Sequence, residues 1–203
     1  RNIALVLFIV GIFLSIGKIR DRFLIELQTN TGKSLGTTNI VDQQSGVNYI
    51  SIADAWTKEH FEYSDYFPGT ALRVYQIRLF TEFLDEEPIF WKGFGLNASK
   101  TKLLEKEKKY NLYPGYGTFN FHNQYVQNFA ELGFVGFILL LLILFYSTKY
   151  AFRRKDFMAI SFSILMISLF LTESFLWRQR GVTFFIVVYC LFIQNNNTNK
   201  ISN

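Results

Sequence analysis

Long apolar runs alternate with polar segments along this chain, and their lengths predict membrane helices. Four runs are strongly apolar: Ile3 to Ile16, Leu132 to Tyr146, Phe157 to Thr172 and Val182 to Ile193. A helix that crosses a bilayer needs about 20 mostly apolar residues, so the second run with its flanks and the third are suitable. The first run looks truncated and the fourth is short. The pattern predicts an all-α integral membrane protein with about four transmembrane helices.

Basic residues orient these segments in the membrane. The connector between the second and third runs carries Lys149, Arg153, Arg154 and Lys155, and short cytoplasmic loops collect such residues, whereas long translocated loops do not. We therefore expect the long loop on the outer side. The predicted order is transmembrane helix 1–17, outer loop domain 18–128, transmembrane helix 129–148, cytoplasmic loop 149–156, transmembrane helix 157–173, short outer turn 174–181, transmembrane helix 182–194 and cytoplasmic tail 195–203.

The long loop divides into an irregular half and a helical half. Its first half, QTNTGKSLGTTNIVDQQSGVNYI, is rich in Thr, Gly and Asn and predicts irregular or short extended structure. From Thr70 the apolar spacing predicts a helix capped by Thr70 that ends before Pro88. The mixed charges from Lys100 to Tyr110 predict a second, solvated helix. The loop as a whole is predicted to be mostly helical and irregular.

Composition and charge support a membrane protein and do not indicate nucleic acid as a partner. Half of the residues are apolar, and 23 Phe stand against 3 Pro, a balance too apolar for a soluble domain of this length. Between Lys18 and Glu131 there are 13 Lys plus Arg and 14 Asp plus Glu, so the basic excess lies in the membrane segments and their flanks. The chain starts with Arg1 and is expected to be a piece of a longer protein; a signal peptide is the rival interpretation, but no small-residue cleavage site follows.

His122 and Asn123 stand just ahead of the second apolar run. If the helix begins near Asn120, the imidazole lies at the helix N-terminus, where unpaired amides and the helix dipole favour anions. A neutral histidine there is suited to act as a general base. The alternative is an interfacial histidine that is hydrogen-bonded to the loop, and the local residues leave both possibilities open.

The two arginines of the helix from Thr70 differ in their predicted faces. Arg73 falls on one stripe with Ile77, Phe80 and Leu84, whereas Arg78 shares a face with Glu82 and Asp85. Arg78 is therefore predicted to form a surface ion pair. Arg73 is predicted to face inward, where its guanidinium needs a buried partner or an anionic ligand.

Glu173 ends the third apolar run, and an ionisable residue near membrane depth indicates a functional site with a partner. Arg178 and Arg180 are the candidate partners, and a buried pair that only fixes helix packing is the alternative. Several aromatic residues, Tyr116 among them, are suited to stack on sugars, although aromatic residues also line membrane interfaces. Gly93 and Gly95 form only a G-x-G, which does not indicate a nucleotide site. With one Cys and two His, no metal site is expected.

Three stretches of the chain together resemble the C-terminal part of the O-antigen ligase and polymerase superfamily of bacterial polytopic membrane glycosyltransferases. They are ALRVYQIRLFTEFLDEEPIFWKGFGLN, FHNQYVQNFAELGFVGFILLLLILF and FLTESFLWRQRGVTFFIVVYCLF. The positions that carry the resemblance are Arg73, then Pro88 with Gly93 and Gly95, then His122, Asn123, Glu131, Gly133 and Gly136, and finally Thr172, Glu173, Ser174 and Gly181. Their order and spacing extend over about 110 residues of this sequence.

The resemblance implies an enzyme of the bacterial inner membrane, with the long loop in the periplasm. It implies transfer of a glycan from undecaprenyl pyrophosphate to a hydroxyl of lipid A core or another glycan acceptor, in contact with membrane lipid and without metal or cofactor. Arg73 and His122 are implied as catalytic, Arg73 on the pyrophosphate and His122 on the acceptor hydroxyl. Substrate binding falls to Asn123, Arg178, Arg180 and Tyr116, and support of the site to Glu173, Gly93, Gly95, Glu131 and Gly133.

Two alternatives to the ligase remain open. Within the superfamily, an O-antigen polymerase or a protein O-oligosaccharyltransferase differs only in its acceptor; the His-Asn element and the single large loop favour a ligase. From another class, a non-catalytic, membrane-anchored binding or sensory module would use the loop as a ligand-binding domain. The enzyme requires Arg73 and His122 within about 10 Å of each other, because reacting groups must meet at one pyrophosphate and one acceptor. The sensory module predicts that they lie too far apart.

Overall fold

The computed structural model describes Gly17, residues 40–42 and residues 47–201. The predicted transmembrane helix 1–17 therefore lies outside the described residues except for Gly17. The chain divides into two compact units, Arg1–Tyr75 with Tyr110–Tyr113, and Gln76–Lys109 with Pro114–Asn203. Most described residues are helical, which confirms the helical class.

A small sheet in the first unit corrects the all-α prediction. Its strands are β1 (Ile40–Asp42), β2 (Val47–Tyr49) and β3 (Asp65–Tyr66), with β2 antiparallel to β1 and parallel to β3. The short helix α1 (Ile52–Thr57) follows β2. These strands fall partly in the segment that was predicted to be irregular or extended. Its β-branched and aromatic residues, such as Val47 and Tyr49, favour paired strands once a partner is available.

The rings of Phe61, Phe67 and Tyr75 form the core of the first unit. Their centroids lie 5.1 to 5.6 Å apart, a spacing typical of favourable aromatic contacts. Asp65 is buried beside them and accepts a 2.6 Å hydrogen bond from Lys58 Nζ. The buried carboxylate thus has the cationic partner that its burial requires.

Two helices of the long loop occur where the sequence predicts them. Helix α2 spans Gly69–Glu86 and α3 spans Ser99–Lys109, so Thr70, the predicted cap, lies in the first turn of α2. The face prediction for α2 is wrong. Its buried side chains are Ala71, Tyr75, Leu79 and Phe83 with the polar Gln76 and Arg78 beside them, whereas Ile77 is exposed.

Arg78 forms the predicted pair with Glu82, but the pair is largely buried. Arg78 Nε donates to Glu82 Oε1 at 2.9 Å. Lys106 of α3, whose side chain is 4% exposed, donates to Glu82 Oε2 at 2.7 Å and to Glu86 Oε2 at 2.9 Å. Lys109 also binds Glu86, at 3.0 Å. The surface position predicted for Arg78 is wrong: its side chain is buried, and Lys106 of α3 binds the same carboxylate of Glu82.

This ion-pair network makes stability depend on pH. The hydrogen bond from Lys106, and then the one from Lys109, hold the pKa of Glu86 below its ordinary 4.5. A carboxyl with a lowered folded-state pKa contributes stability above pH 4.5, and this contribution is lost as the pH falls through the folded value. Lys106→Met should lower the free energy of unfolding by about 2 kcal/mol, less than for a fully buried pair because Glu86 is half exposed.

Thermal unfolding of the full-length protein in detergent, at pH 7 and at pH 4, measures this effect. The Lys106→Met variant should lose less of its thermal stability between the two pH values than the parent does. Lys108→Met is the matched control, because Lys108 is exposed on the same helix. Equal losses in Lys106→Met and Lys108→Met would contradict the assignment.

Three apolar helices complete the second unit: α4 (Gln124–Arg154), α5 (Phe157–Thr172) and α6 (Gln179–Ile201). In the part of the chain that the structure describes, α4 is the one helix both long and apolar enough to cross a membrane. The apolar parts of α5 and α6 are shorter, so the number of membrane helices stays a prediction. Because α4 continues to Arg154, most of the predicted cytoplasmic loop 149–156 is helical.

The core between these helices is built from large apolar side chains. Its buried members are Leu140, Leu144, Phe162, Met166, Phe170 and Phe185. Helix α5 begins after Asp156, whose carboxylate accepts hydrogen bonds from the amides of Met158 and Ala159 at 3.0 and 3.2 Å. Such a cap fixes where α5 starts, and hence where its other end meets α4.

Candidate functional site

Asn123 caps helix α4 and determines the conformation of its N-terminal end. This end, formed by His122, Asn123 and Gln124, is called the helix mouth. Its Oδ1 accepts hydrogen bonds from the amides of Tyr125 and Val126 at 3.0 and 3.1 Å, which is the geometry of an N-cap. Its Nδ2 donates to the carbonyl of Leu171 at 3.2 Å. Both the oxygen and the nitrogen of the Asn123 amide are thus bonded to the backbone. To orient a substrate, as the sequence predicts, Asn123 would have to give up one of these hydrogen bonds.

The turn after α5 is attached to the same helix mouth. The amide of Asn123 donates to Ser174 Oγ at 3.2 Å, and the amide of Leu176 donates to Gln124 Oε1 at 2.6 Å. Ser174 and Gln124 are both buried. Glu173 follows the last residue of α5, so these bonds fix the position from which its side chain extends.

His122 lies at this mouth and its imidazole contacts Glu173. Nδ1 of His122 is 3.3 Å from Glu173 Oε2, and the side chains are 21% and 41% exposed. Glu173 therefore meets His122, whereas the sequence predicted Arg178 or Arg180 as its partner. The helix begins at Gln124, four residues later than the predicted start near Asn120. His122 thus stands outside the helix, at φ +45°, with its amide donating to Asn120 Oδ1 at 2.9 Å.

A row of aromatic rings leads to His122. Tyr116, in the 3-10 turn Tyr116–Thr118, has its ring centroid 5.9 Å from that of Phe119, and Phe119 is 5.9 Å from the His122 ring. The side chain of Glu107 on α3 accepts hydrogen bonds from the amides of Gly115 and Gly117 and so holds this turn. Flat apolar faces with polar edges are suited to sugar rings.

Gly93 and Gly133 allow the backbone segments to which they belong to interlock, that is, to approach closely enough for backbone hydrogen bonds between them. Helix α4 is interrupted at Gly133, with φ +68° and ψ −167°. The carbonyls of Ala130 and Glu131 accept hydrogen bonds from the amides of Phe94 and Gly95, at 2.7 and 3.0 Å. A Cβ on either Gly93 or Gly133 would lie 2.4 Å from backbone atoms of the opposite segment. Both positions therefore require glycine.

Glu131 is buried and hydrogen-bonded within this interlocked region. Its Oε1 accepts hydrogen bonds from Ser99 Oγ at 2.5 Å and from Gln127 Nε2 at 2.8 Å. Gln127 Oε1 in turn accepts a hydrogen bond from the amide of Phe121 at 3.2 Å. The network connects the kink of α4 to the residue before His122. Ser99 and Gln127 were not among the predicted site residues, since a lone Ser or Gln carries no local signal of burial.

The arginines assigned to substrate lie in different surroundings. Arg73 is half-buried on α2, and its guanidinium donates to the carbonyl of Gly69 at 3.3 Å. Arg178 and Arg180 are exposed around the start of α6. Arg180 borders a groove of about 520 Å³ that continues along α6 past Thr183, Phe184, Val187 and Val188. Among the described residues, no group of three or more His, Cys, Asp or Glu is arranged to hold a metal ion.

Comparison with known families adds an independent finding. The model of a family described as O-antigen ligase matches residues 2–141. This range includes Arg73, Gly93, His122 and Gly133 and stops before Glu173. No curated protein and no solved structure matches the chain.

Proposed function

The chain belongs to the O-antigen ligase family, and from this premise we propose that it moves a glycan from undecaprenyl pyrophosphate to a hydroxyl of lipid A core. The resemblance found in the sequence is thereby confirmed. Membership indicates a membrane enzyme of the ligase or polymerase type that acts on glycans. We place the reaction at the periplasmic face of the bacterial inner membrane, with the long loop on that side.

The contact between His122 and Glu173 carries the proposal. When the carboxylate of Glu173 accepts a hydrogen bond from Nδ1, the proton is on Nδ1 and the lone pair is on Nε2, the arrangement in which a histidine acts as a general base. The carboxylate also stabilises the imidazolium that forms when Nε2 takes a proton. Neither side chain is fully buried, so a hydroxyl is able to approach.

The proposed reaction transfers one glycosyl unit and one proton. Nε2 of His122 removes the proton of the acceptor hydroxyl as the oxygen attacks the anomeric carbon of the donor. The new glycosidic C–O bond forms, the bond from the anomeric carbon to the pyrophosphate oxygen breaks, and its electron pair leaves with undecaprenyl pyrophosphate. The rings of Phe119 and Tyr116 would support the acceptor or donor sugar beside the imidazole.

Two features support a pyrophosphate-linked lipid as the donor. We assign Arg73 to the pyrophosphate because a guanidinium binds phosphate oxygens in pairs and stabilises the charge that develops on the leaving group. The groove along α6 has Gln179, Arg180 and Thr183 at one end and only apolar side chains at the other. A polyprenyl pyrophosphate has the same order of an anionic head and an apolar chain.

Transfer assays on the full-length protein test the donor assignment. Arg73→Ala should lower kcat/KM for the lipid-linked donor about 10- to 100-fold, the usual effect of losing hydrogen bonds to a charged group. Arg73→Lys should recover part of the loss, because it restores the charge without the paired donors. KM for the acceptor should not change.

The control for this assay is Lys108→Ala. Lys108 is exposed, and its removal changes the net charge by the same amount. Arg78→Ala is unsuitable, since Arg78 is buried against Glu82. Wild-type kcat/KM in Arg73→Ala, or an equal loss in Lys108→Ala, would refute the assignment of Arg73 to the pyrophosphate.

A further inference from the structure

A cavity lies at the end of α4 opposite to the helix mouth. Its volume is about 380 Å³, and all three apolar helices contribute to its walls. The lining residues are Tyr146, Ser147, Lys149, Tyr150 and Arg153 of α4, Ala159 of α5, and Tyr189 and Phe192 of α6. It is thus far along the chain from His122 and takes no part in the transfer reaction proposed above.

The charge of this cavity is purely positive. Lys149 and Arg153 are four residues apart on α4, so they project from the same face of the helix. No carboxylate lines the cavity, and neither cation forms an ion pair with a carboxylate in the described part of the chain. Lys149 Nζ instead lies 5.6 Å from the ring centroid of Phe145. Two cations with this environment favour an anionic group.

Apart from Ser147, the remaining walls of the cavity are aromatic and apolar. Tyr146 and Tyr150 lie on the same side of α4 as the two cations, and Tyr189 and Phe192 face them from α6. Tyrosine is typical of the level at which a bilayer meets water, where the ring is in contact with apolar chains and the hydroxyl with headgroups.

The length of α4 places this cavity at the depth of lipid headgroups. After the kink at Gly133, the helical part 134–154 extends about 30 Å at 1.5 Å per residue, the thickness of the hydrocarbon core. Lys149 and Arg153 lie in its last turns. Basic pockets between membrane helices at this level are suited to the phosphate of acidic lipids.

From the two cations, the aromatic walls and this depth, we propose that the cavity binds the headgroup of an anionic phospholipid. The phosphodiester lies between Lys149 and Arg153, and the start of an acyl chain packs on Tyr189 and Phe192. A zwitterionic lipid is disfavoured, because the cavity offers no carboxylate to its ammonium group.

Lipid-dependent thermal unfolding of the full-length protein in detergent tests this proposal. Phosphatidylglycerol added as mixed micelles should raise Tm in a saturable way, and phosphatidylcholine should raise it much less. Lys149→Gln and Arg153→Gln should each weaken the apparent affinity for phosphatidylglycerol about fivefold, the effect expected for one cation near an acidic headgroup. Lys149→Arg should bind like the parent.

Lys155→Gln is the matched control. It removes the same charge at the same end of α4, and Lys155 does not line the cavity. A loss in Lys155→Gln equal to that in Lys149→Gln would overturn the proposal in favour of general surface attraction. Equal stabilisation by phosphatidylcholine would show that the cavity binds an acyl chain and does not recognise the headgroup. Equal stabilisation by inorganic phosphate would show that the cavity binds a free anion. Either result would also overturn the proposal.

Discussion

His122→Asn should reduce glycan transfer about 10²- to 10⁴-fold, the usual contribution of a general base. Asparagine is chosen because it tolerates the positive φ that His122 adopts, so the backbone at the mouth of α4 should be kept. The side-chain amide of Asn cannot take the acceptor proton. The loss should appear in kcat, with little change in KM for the lipid-linked donor.

Three comparisons separate a catalytic from a structural role of His122. His60→Asn is the matched control, since His60 is the only other histidine of the chain and is exposed. Glu173→Gln should reduce kcat about tenfold, less than His122→Asn, because it leaves the base and removes only the group that orients it. Free imidazole should partly restore transfer to His122→Gly, in which a glycine keeps the backbone and opens space.

Wild-type kcat in His122→Asn would show that this histidine is not the base, and the proposed mechanism would be abandoned. Loss of folded protein in His122→Asn, measured as a lower Tm than for His60→Asn, would instead assign a structural role. If free imidazole also failed to restore transfer to His122→Gly, that result together with the lower Tm would agree with the structural role. The donor assignment of Arg73 is measured separately and does not depend on this result.

Two helix ends could be predicted from short-range signals: the end of α2 before Pro88 and the start of α5 at Phe157. Pro88 stops α2, Asn123 caps α4 and Asp156 caps α5, and each is a residue whose own chemistry disfavours or starts a helix. The start of α4 was nevertheless placed near Asn120. The chain offers two Asn within four residues, Asn120 and Asn123, and the tertiary contact of Asn123 with Leu171 distinguishes the second.

The buried face of α2 could not be predicted from periodicity. Apolar side chains occur on most sides of this helix, so Ile77 and Leu79 are equivalent in the sequence although only Leu79 is buried. Contacts from α3 contribute to the choice, because the buried Lys106 of that helix binds Glu82, the partner of Arg78. Such a contact joins residues 24 apart, beyond the reach of a helical pattern.

The sequence indicated candidate residues for the site, and it did not indicate which of them are in contact. His122 and Glu173 were both selected from the motifs, yet their contact joins residues 51 apart, and no local pattern indicates it. Arg178 and Arg180 were preferred as partners of Glu173 because they are near in sequence. Those arginines extend from exposed positions at the start of α6, whereas the cap at Asn123 and the bond to Ser174 bring His122 to Glu173.

Gly133→Ala should lower the free energy of unfolding by about 3 to 5 kcal/mol, the largest stability effect that we expect from one methyl group in this chain. About 1 to 3 kcal/mol comes from the backbone, because φ +68° with ψ −167° is accessible almost only to glycine. The remainder comes from overpacking, since the new Cβ would lie 2.4 Å from the carbonyl carbon and oxygen of Trp91.

Gly95→Ala separates the two contributions. Gly95 also has a positive φ, +101°, but a Cβ there would meet nothing within 4 Å. Gly95→Ala should therefore show the backbone strain alone and unfold at a Tm between the parent and Gly133→Ala. Gly93→Ala should match Gly133→Ala, because its Cβ would meet the backbone of Glu131 from the other side of the same contact.

Thermal unfolding of the four proteins in one detergent gives the ranking, with expression level as a second measure where Gly133→Ala does not accumulate. If Gly95→Ala were as damaging as Gly133→Ala, strain alone would explain both, and the close approach of the two segments would have no energetic role. If Gly133→Ala behaved like the parent, α4 would be continuous through residue 133. Glu131 and Gln127 would then be held by the helix alone, and the connection from the kink to His122 would be lost.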